Sequence, residues 1–223
     1  MDIPNEVAVM TLPNATLFPQ ALLPLYIFEP RYRRMLADAL QTHRMFAIAM
    51  QKPERTREAP STVAGLGLIR VSVDNPDGTS HLILQGVTRV QLVKVAGYKP
   101  YRTHQIRPLQ TPPNDSVRID ALLAKVRDLV TERVQLGLPF PALKTNPTKK
   151  SKKSHITPKE VIGYLEKLND ADQVADLVSC ALLPGGVERQ TILETVELEP
   201  RLKHLIHFLM AEIHEHRKNM GHE

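Results

Sequence analysis

The chain has 223 residues, 42% of them hydrophobic and 24% charged, which is ordinary for a globular protein and enough to bury one large core or two small ones. Aromatics at 4%, no Trp and a single cysteine, Cys180, disfavour a base-stacking surface and exclude an intramolecular disulfide or a multi-cysteine metal site. The formal charge of +5 is concentrated in Lys149, Lys150, Lys152 and Lys153; without those four it is +1, so the chain as a whole is not a nucleic-acid-binding polycation.

The opening MDIPNEVAVM places acids and a proline where a secretion signal needs basic and then apolar residues, and no segment is apolar for long enough to cross a bilayer. A cytoplasmic location is the expectation. Val7–Leu12 alternates weakly and predicts a first strand. Leu12–Leu36 follows, reading LPNATLFPQALLPLYIFEPRYRRML. Its nearly uncharged run from Ala21 to Phe28 predicts a strand buried on both faces, with Pro24 marking an edge or a bulge. Glu29–Gln41 reads as a helix, with Pro30 in the first turn and Glu29 where the helix dipole favours an anion. Its apolar residues Tyr32, Met35, Leu36, Ala39 and Leu40 recur at helical spacing.

Met45–Met50 (MFAIAM) suits a buried strand, and the charged segment Gln51–Pro60 suits an exposed loop. Thr62–Val73 predicts a long strand whose Gly65 and Gly67 imply a bulge or a close backbone approach. Asp74-Asn75-Pro76-Asp77-Gly78 is a turn, and His81–Gln85 returns from it as a hairpin. Gln91–Val95 and Tyr101–Ile106 read as further strands. These elements make a small closed or half-closed sheet.

The character changes at Pro108–Asn114, so a β-rich lobe over residues 1–110 is expected to precede a helical lobe over 115–218. Ile119, Leu122, Leu123, Val126, Leu129, Val130 and Val134 form one helical stripe, ended by Gly137 and Pro139. Residues 139–156, rich in Pro and Lys and without periodicity, read as a mobile insert. Thr157-Pro158-Lys159-Glu160 has the form of a capping box. Asp170 is placed to cap a helix running to Leu183, stopped by Pro184-Gly185-Gly186. A short helix to about Val196 and a last one from Pro200 to about Arg217 complete the lobe.

The order L-P-N-x-x-L-F-P, then L-P-L-x-I-F-E-P-R-Y-R-x-M-L, resembles the start of the Lon N-terminal domain, the substrate-recognition domain of Lon proteases. GLGLIRVSVDNPDGTSHLILQGVTRVQLVKV resembles that family's central hairpin and the G-x-x-R strand after it, here Gly86–Arg89. LVSCALLPGGVERQTILETVELEPRLKHLIHFL is similar to its helical end. The closest likeness is to small bacterial proteins that consist of that domain alone. The resemblance implies an α+β protein, a β-rich PUA-like pseudo-barrel lobe followed by an all-α helical bundle lobe. Gln20 stands where the family usually has Gly after Phe-Pro, so a different turn is expected there. The lysine-rich insert also departs from the family's pattern.

Chemistry is sought and mostly not found. No G-x-x-x-x-G-K-[ST] phosphate loop and no G-x-S-x-G elbow is present, so the ATPase and the peptidase of a complete Lon protease are not expected here. Cys180 lies mid-helix with no context that lowers a thiol pKa and reads as a packing residue. His204, His207 and His214 share a helix face away from Leu202, Leu205, Ile206, Leu209 and Ile213. With no Cys and no H-E-x-x-H beside them, they read as a solvated face rather than a metal site. The KKSKK run reads as a solvated loop. Glu29, Arg31 and Arg89, charges among apolar strands, read as a structural pairing.

The expectation is a non-enzymatic protein-interaction module, without cofactor or metal, that binds unfolded or exposed apolar segments of other proteins, in association with protease or chaperone machinery. A nucleic-acid or small-ligand module using the barrel and the lysine loop is the alternative. Phe18, Leu22, Tyr26 and Phe140 are the candidate contact residues, because they are apolar yet lie in or beside Pro-containing turns, at the seam expected between the lobes.

Overall fold

The computed structural model describes residues 2–53, 58–112, 117–139 and 158–220. The chain divides into two compact units, Met1–Gln110 and Thr111–Glu223. The first contains β1 (Glu6–Leu12), β2 (Leu22–Ile27), α1 (Pro30–Gln41), β3 (Met45–Met50), β4 (Val63–Asp74), β5 (Ser80–Gly97) and β6 (Thr103–Leu109). Its sheet runs β2-β5-β4-β3-β1-β6, and a further β5–β6 pairing closes the last five of these strands into a barrel with β2 outside. β1 and β3 pair in parallel, the other neighbours antiparallel.

β3 shows why an uninterrupted apolar run is needed at that place. Every residue of MFAIAM is buried. Met45, Ala47 and Ala49 join Val7, Val9, Leu66, Val90 and Ile106, drawn from all five closed strands, in the barrel interior. Phe46 and Ile48 face the other way, onto a second cluster with Tyr32, Met35, Leu36 and Ala39 of α1. α1 starts at Pro30, as the sequence predicts, and buries that stripe. Burying such side chains contributes about 1.5–3 kcal/mol each.

Gly65 and Gly86 are where another backbone crosses the sheet. A Cβ at Gly65 would lie 1.9 Å from the Leu17 carbonyl oxygen, and one at Gly86 1.9 Å from that of Phe18. The ladder also shifts register between Leu66 and Gly67, so the sequence correctly placed both a bulge and a close approach. Gly86, by contrast, does not interrupt its strand. His81–Gln85 and Gln91–Val95, read as two strands, belong to the single 18-residue β5. Glycine here admits a neighbouring chain rather than making a turn.

β2 corrects a second expectation. It is an edge strand, as Pro24 implies, but it is not buried on both faces. The turn before it also differs from expectation. Gln20 takes φ 63°, the left-handed conformation that glycine favours, and its N–H donates to the Gly86 carbonyl at 2.8 Å. The glycine-type turn is kept, with a glutamine in it. β6 runs through Pro108 to Leu109, three residues beyond its expected end. Only Glu6–Ala8 of β1 pairs with it, at Thr103–Gln105, so Pro108 lies where β6 has β5 alone as a neighbour and a missing donor is tolerated.

The second unit contains α2 (Val117–Gln135), α3 (Pro158–Lys167), α4 (Ala171–Leu182), α5 (Gly186–Glu194) and α6 (Leu198–Met220). Asp170 caps α4 as predicted, accepting from the N–H groups of Asp172 and Gln173. Leu202, Leu205, Leu209 and Ile213 are the buried stripe of α6, with Ile206 partly buried. On α2 the stripe ends differently from the reading. Val134 is half-buried and Arg133 is fully buried. Arg133 Nε and Nη2 grip the two oxygens of Glu212 on α6 at 2.8 and 2.9 Å, and Nη2 also donates to the Pro139 carbonyl at 2.6 Å.

Arg201 is likewise fully buried. Nη1 pairs with Asp172 at 2.6 Å and lies 3.6 Å from Asp176, both on α4. Nε donates to the Thr195 carbonyl at 2.8 Å, and Nη2 to Thr111 Oγ1 at 3.0 Å and to the Val196 carbonyl. One guanidinium thereby joins α4, the end of α5 and the start of α6. Thr157, most of the lysine-rich insert at 139–156, and Phe140 lie outside the described residues.

Candidate functional site

Alternation along β2 decides what the strand shows to water. Leu23, Leu25 and Ile27 turn inward onto the α1-side cluster. Leu22, Pro24 and Tyr26 turn outward, and Phe28 follows in the same phase. Leu22 is 62% exposed, Tyr26 48% and Phe28 58%. Across the sheet, Pro24 faces Ile83, which faces Val71; Tyr26 faces His81, which faces Val73. Ile83, Val71 and Val73 are exposed as well. The outer face of β2, β5 and β4 is therefore one contiguous apolar surface.

The surface has internal order. The Tyr26 ring stacks on Phe28 with centroids 5.8 Å apart and tilts over His81 at 4.8 Å. At the Leu22 end the polar border begins, where Gln85, opposite Leu22, accepts a hydrogen bond from Arg70. Isolated exposed apolar residues are normal on a protein surface, whereas a contiguous patch signals an interaction site.

Of the residues singled out in the sequence, the structure brings Leu22 and Tyr26 together on this face. Phe18 is removed from the set: it is 0% exposed and packs beneath the sheet, with the Arg89 guanidinium 5.9 Å from its ring centroid. The turn that makes it look exposed is the segment pressed onto Gly86, which buries its side chain. Phe140 lies outside the described residues. Phe28, Val71, Val73 and Ile83 were missed. Strand pairing across a hairpin would have found them, since Val71, Val73, His81 and Ile83 alternate on either side of the Asp74–Gly78 turn.

The other candidates support less chemistry. Glu29 and Arg31 do pair, at 2.9 Å, and Arg31 also reaches Glu58 at 2.5 Å, but Glu29 and Arg31 are each 40% exposed, so the pair is not a buried one. A shallow cleft beside α1 is lined by Glu6, Asp38, Thr42, His43, Tyr101 and Thr103. Tyr101 Oη donates to Asp38 at 2.9 Å, and burial together with that carboxylate pushes the phenol up to about 12. His43 accepts from the Met45 N–H through Nδ1 at 3.1 Å, and burial lowers its pKa. Near neutral pH the phenol stays protonated and the imidazole neutral, so neither is a base or an acid of unusual strength.

Burial raises the Cys180 thiol, which keeps it protonated and unreactive. His204, His207 and His214 are exposed on α6. Among the described residues, no group of three or more His, Cys, Asp or Glu is placed to hold a metal ion. None of the described helices is long and apolar enough to cross a membrane.

Comparison with known proteins points to one family. The model of the ATP-dependent protease La (LON) substrate-binding domain matches residues 6–211. The chain is 22% identical over 215 residues to a Lon protease of Dictyoglomus thermophilum, covering 95% of this chain and 25% of that protein. It is 28% identical over 213 residues to Lon protease 2 of Herpetosiphon aurantiacus, covering 93% and 24%. It thus spans about a quarter of the length of these relatives. Among solved structures, the N-terminal domain of the Mycobacterium avium complex Lon protease superposes with a TM-score of 0.70 at 18% identity, covering 92% of this chain and 98% of that one. A Lon N-terminal domain protein from Xanthomonas campestris gives 0.63 at 14% identity, covering 91% and 98%. The mixed α+β architecture is the one these structures share.

Proposed function

Since the chain belongs to the LON substrate-binding domain family, we propose that it recognises non-native segments of other proteins through the outer face of β2, β5 and β4. The observation that carries this reading is the contiguous exposure of Leu22, Tyr26, Phe28, Val71 and Val73. Unfolded chains offer apolar side chains that native proteins bury, and an apolar face selects for that difference. The matched family model describes a substrate-binding domain, which supports a role in recognition rather than catalysis.

The expected affinity is on the order of micromolar, because varied clients and the cost of ordering them oppose tight contact. The test is to titrate the chain, by fluorescence anisotropy, with one protein in a permanently unfolded form and in its native form, at low and at moderate salt. Preference for the unfolded form that survives moderate salt supports the reading. Equal affinity for both forms contradicts it, and binding that vanishes with salt points instead to phosphate-like contacts by basic residues.

A further inference from the structure

Among the described residues β2 pairs with β5 and with no other strand. The Gly86 N–H donates to the Ala21 carbonyl at 2.8 Å, and the register sets Leu22 against Gln85 and Leu23 against Leu84. Hydrogen-bonded and non-hydrogen-bonded pairs alternate in an antiparallel ladder. Leu23, Leu25 and Ile27 therefore turn their peptide groups toward β5, and Leu22, Pro24 and Tyr26 turn theirs to the open side. Pro24 sits where its missing N–H takes nothing from the β5 ladder. The open edge offers the N–H groups of Leu22 and Tyr26 and the carbonyls of Leu22, Pro24 and Tyr26.

We infer that this edge takes up an extended segment of the bound protein as an added antiparallel strand. The inference rests on the recognition reading above and names its mode. Residues directly opposite one another in a ladder share a face of the sheet. A segment with apolar residues at every second position therefore points its pairing peptide groups at β2 while its apolar side chains extend the row Leu22, Pro24, Tyr26. At the Leu22 end Arg70 lies just beyond Gln85, and at the Phe28 end the neighbouring charges Glu29 and Arg31 pair with each other, so a neutral or acidic flank suits the segment better than a basic one at the Leu22 end. A second copy of this chain is a poorer occupant. Two-fold pairing of β2 with itself, centred on Pro24, sets proline against proline and leaves both carbonyls without a donor, whereas an ordinary residue opposite Pro24 supplies one.

The test uses the full chain and a fluorescein-labelled octapeptide of alternating valine and serine flanked by glutamates, measured by anisotropy. Two further peptides carry backbone N-methyl groups, one on its valines and one on its serines. With the valines on the apolar face their N–H groups point at β2, so methylating them weakens binding by about tenfold or more, while methylating the serines changes it less than about threefold. Equal effects from both, none from either, or a larger effect at the serines overturns antiparallel strand addition. So does failure of the parent peptide to bind while an unfolded protein still binds in the same assay, and that result leaves the recognition reading intact. Loss of both kinds of binding removes the recognition reading as well.

Discussion

In the barrel unit Leu22, Tyr26, Phe28, Val71 and Val73 stand in water, while in the helical unit Arg133 and Arg201 are taken wholly out of it. Each departs from the ordinary partition of residues, and the two departures have opposite consequences. A buried guanidinium is tolerable only when every direction it points in has an acceptor, so Arg201 fixes the relative placement of α4, α5 and α6. The exposed apolar face is not covered by the described residues of its unit, so its contact energy is open to another molecule. The helical unit thus uses its unusual residues for its own geometry, and the barrel unit leaves them exposed, where the proposed recognition would draw on them.

The contrast is broken most severely at Arg201. Arg201→Ala leaves Asp172 and Asp176 beside an empty site and strips the Thr195 and Val196 carbonyls of their donor; we expect a loss of about 3–5 kcal/mol in urea denaturation followed by helical circular dichroism. A loss below about 1 kcal/mol would mean that water replaces the guanidinium and that the buried charge is not what organises these helices.

A smaller effect of opposite sign is expected at the turn before β2. Gln20→Gly relieves a left-handed backbone at φ 63° and should stabilise the barrel unit by about 0.5–1 kcal/mol, read as a shift in denaturation midpoint. Destabilisation instead would show that the glutamine side chain makes a contact worth more than the strain. The smallest effect is expected at Glu29. Its pair with Arg31 is well exposed, so Glu29→Ala should cost less than about 0.5 kcal/mol, and a cost of several times that would place a hidden partner there.

Much of the fold was legible from local patterns. The stripe of α1, the buried run of β3, the hairpin turn at Asp74–Gly78 and the cap at Asp170 each rest on a few neighbouring residues, and each stands where the sequence puts it. What failed depended on distant partners. Arg133 looks like a surface residue until Glu212, 79 positions away, is brought to it. Gly86 looks like a break until the backbone of Phe18 is laid across it. The candidate site was misread for a more instructive reason. A strand with one wet face normally alternates, but here the wet face is itself apolar, so LLPLYIF reads as though both faces were buried. The surface property that gives β2 its proposed role is what erased the pattern by which its exposure would have been seen.

The most direct measurement compares binding with stability in one variant. Leu22→Ser with Tyr26→Ser removes two outward side chains that are 62% and 48% exposed, so the fold should lose less than about 1 kcal/mol. If this face captures clients, the same variant should bind a permanently unfolded protein at least about tenfold more weakly, a change of about 1.4 kcal/mol in binding free energy. Unchanged affinity in a folded variant would contradict the assignment of recognition to the outer face of β2.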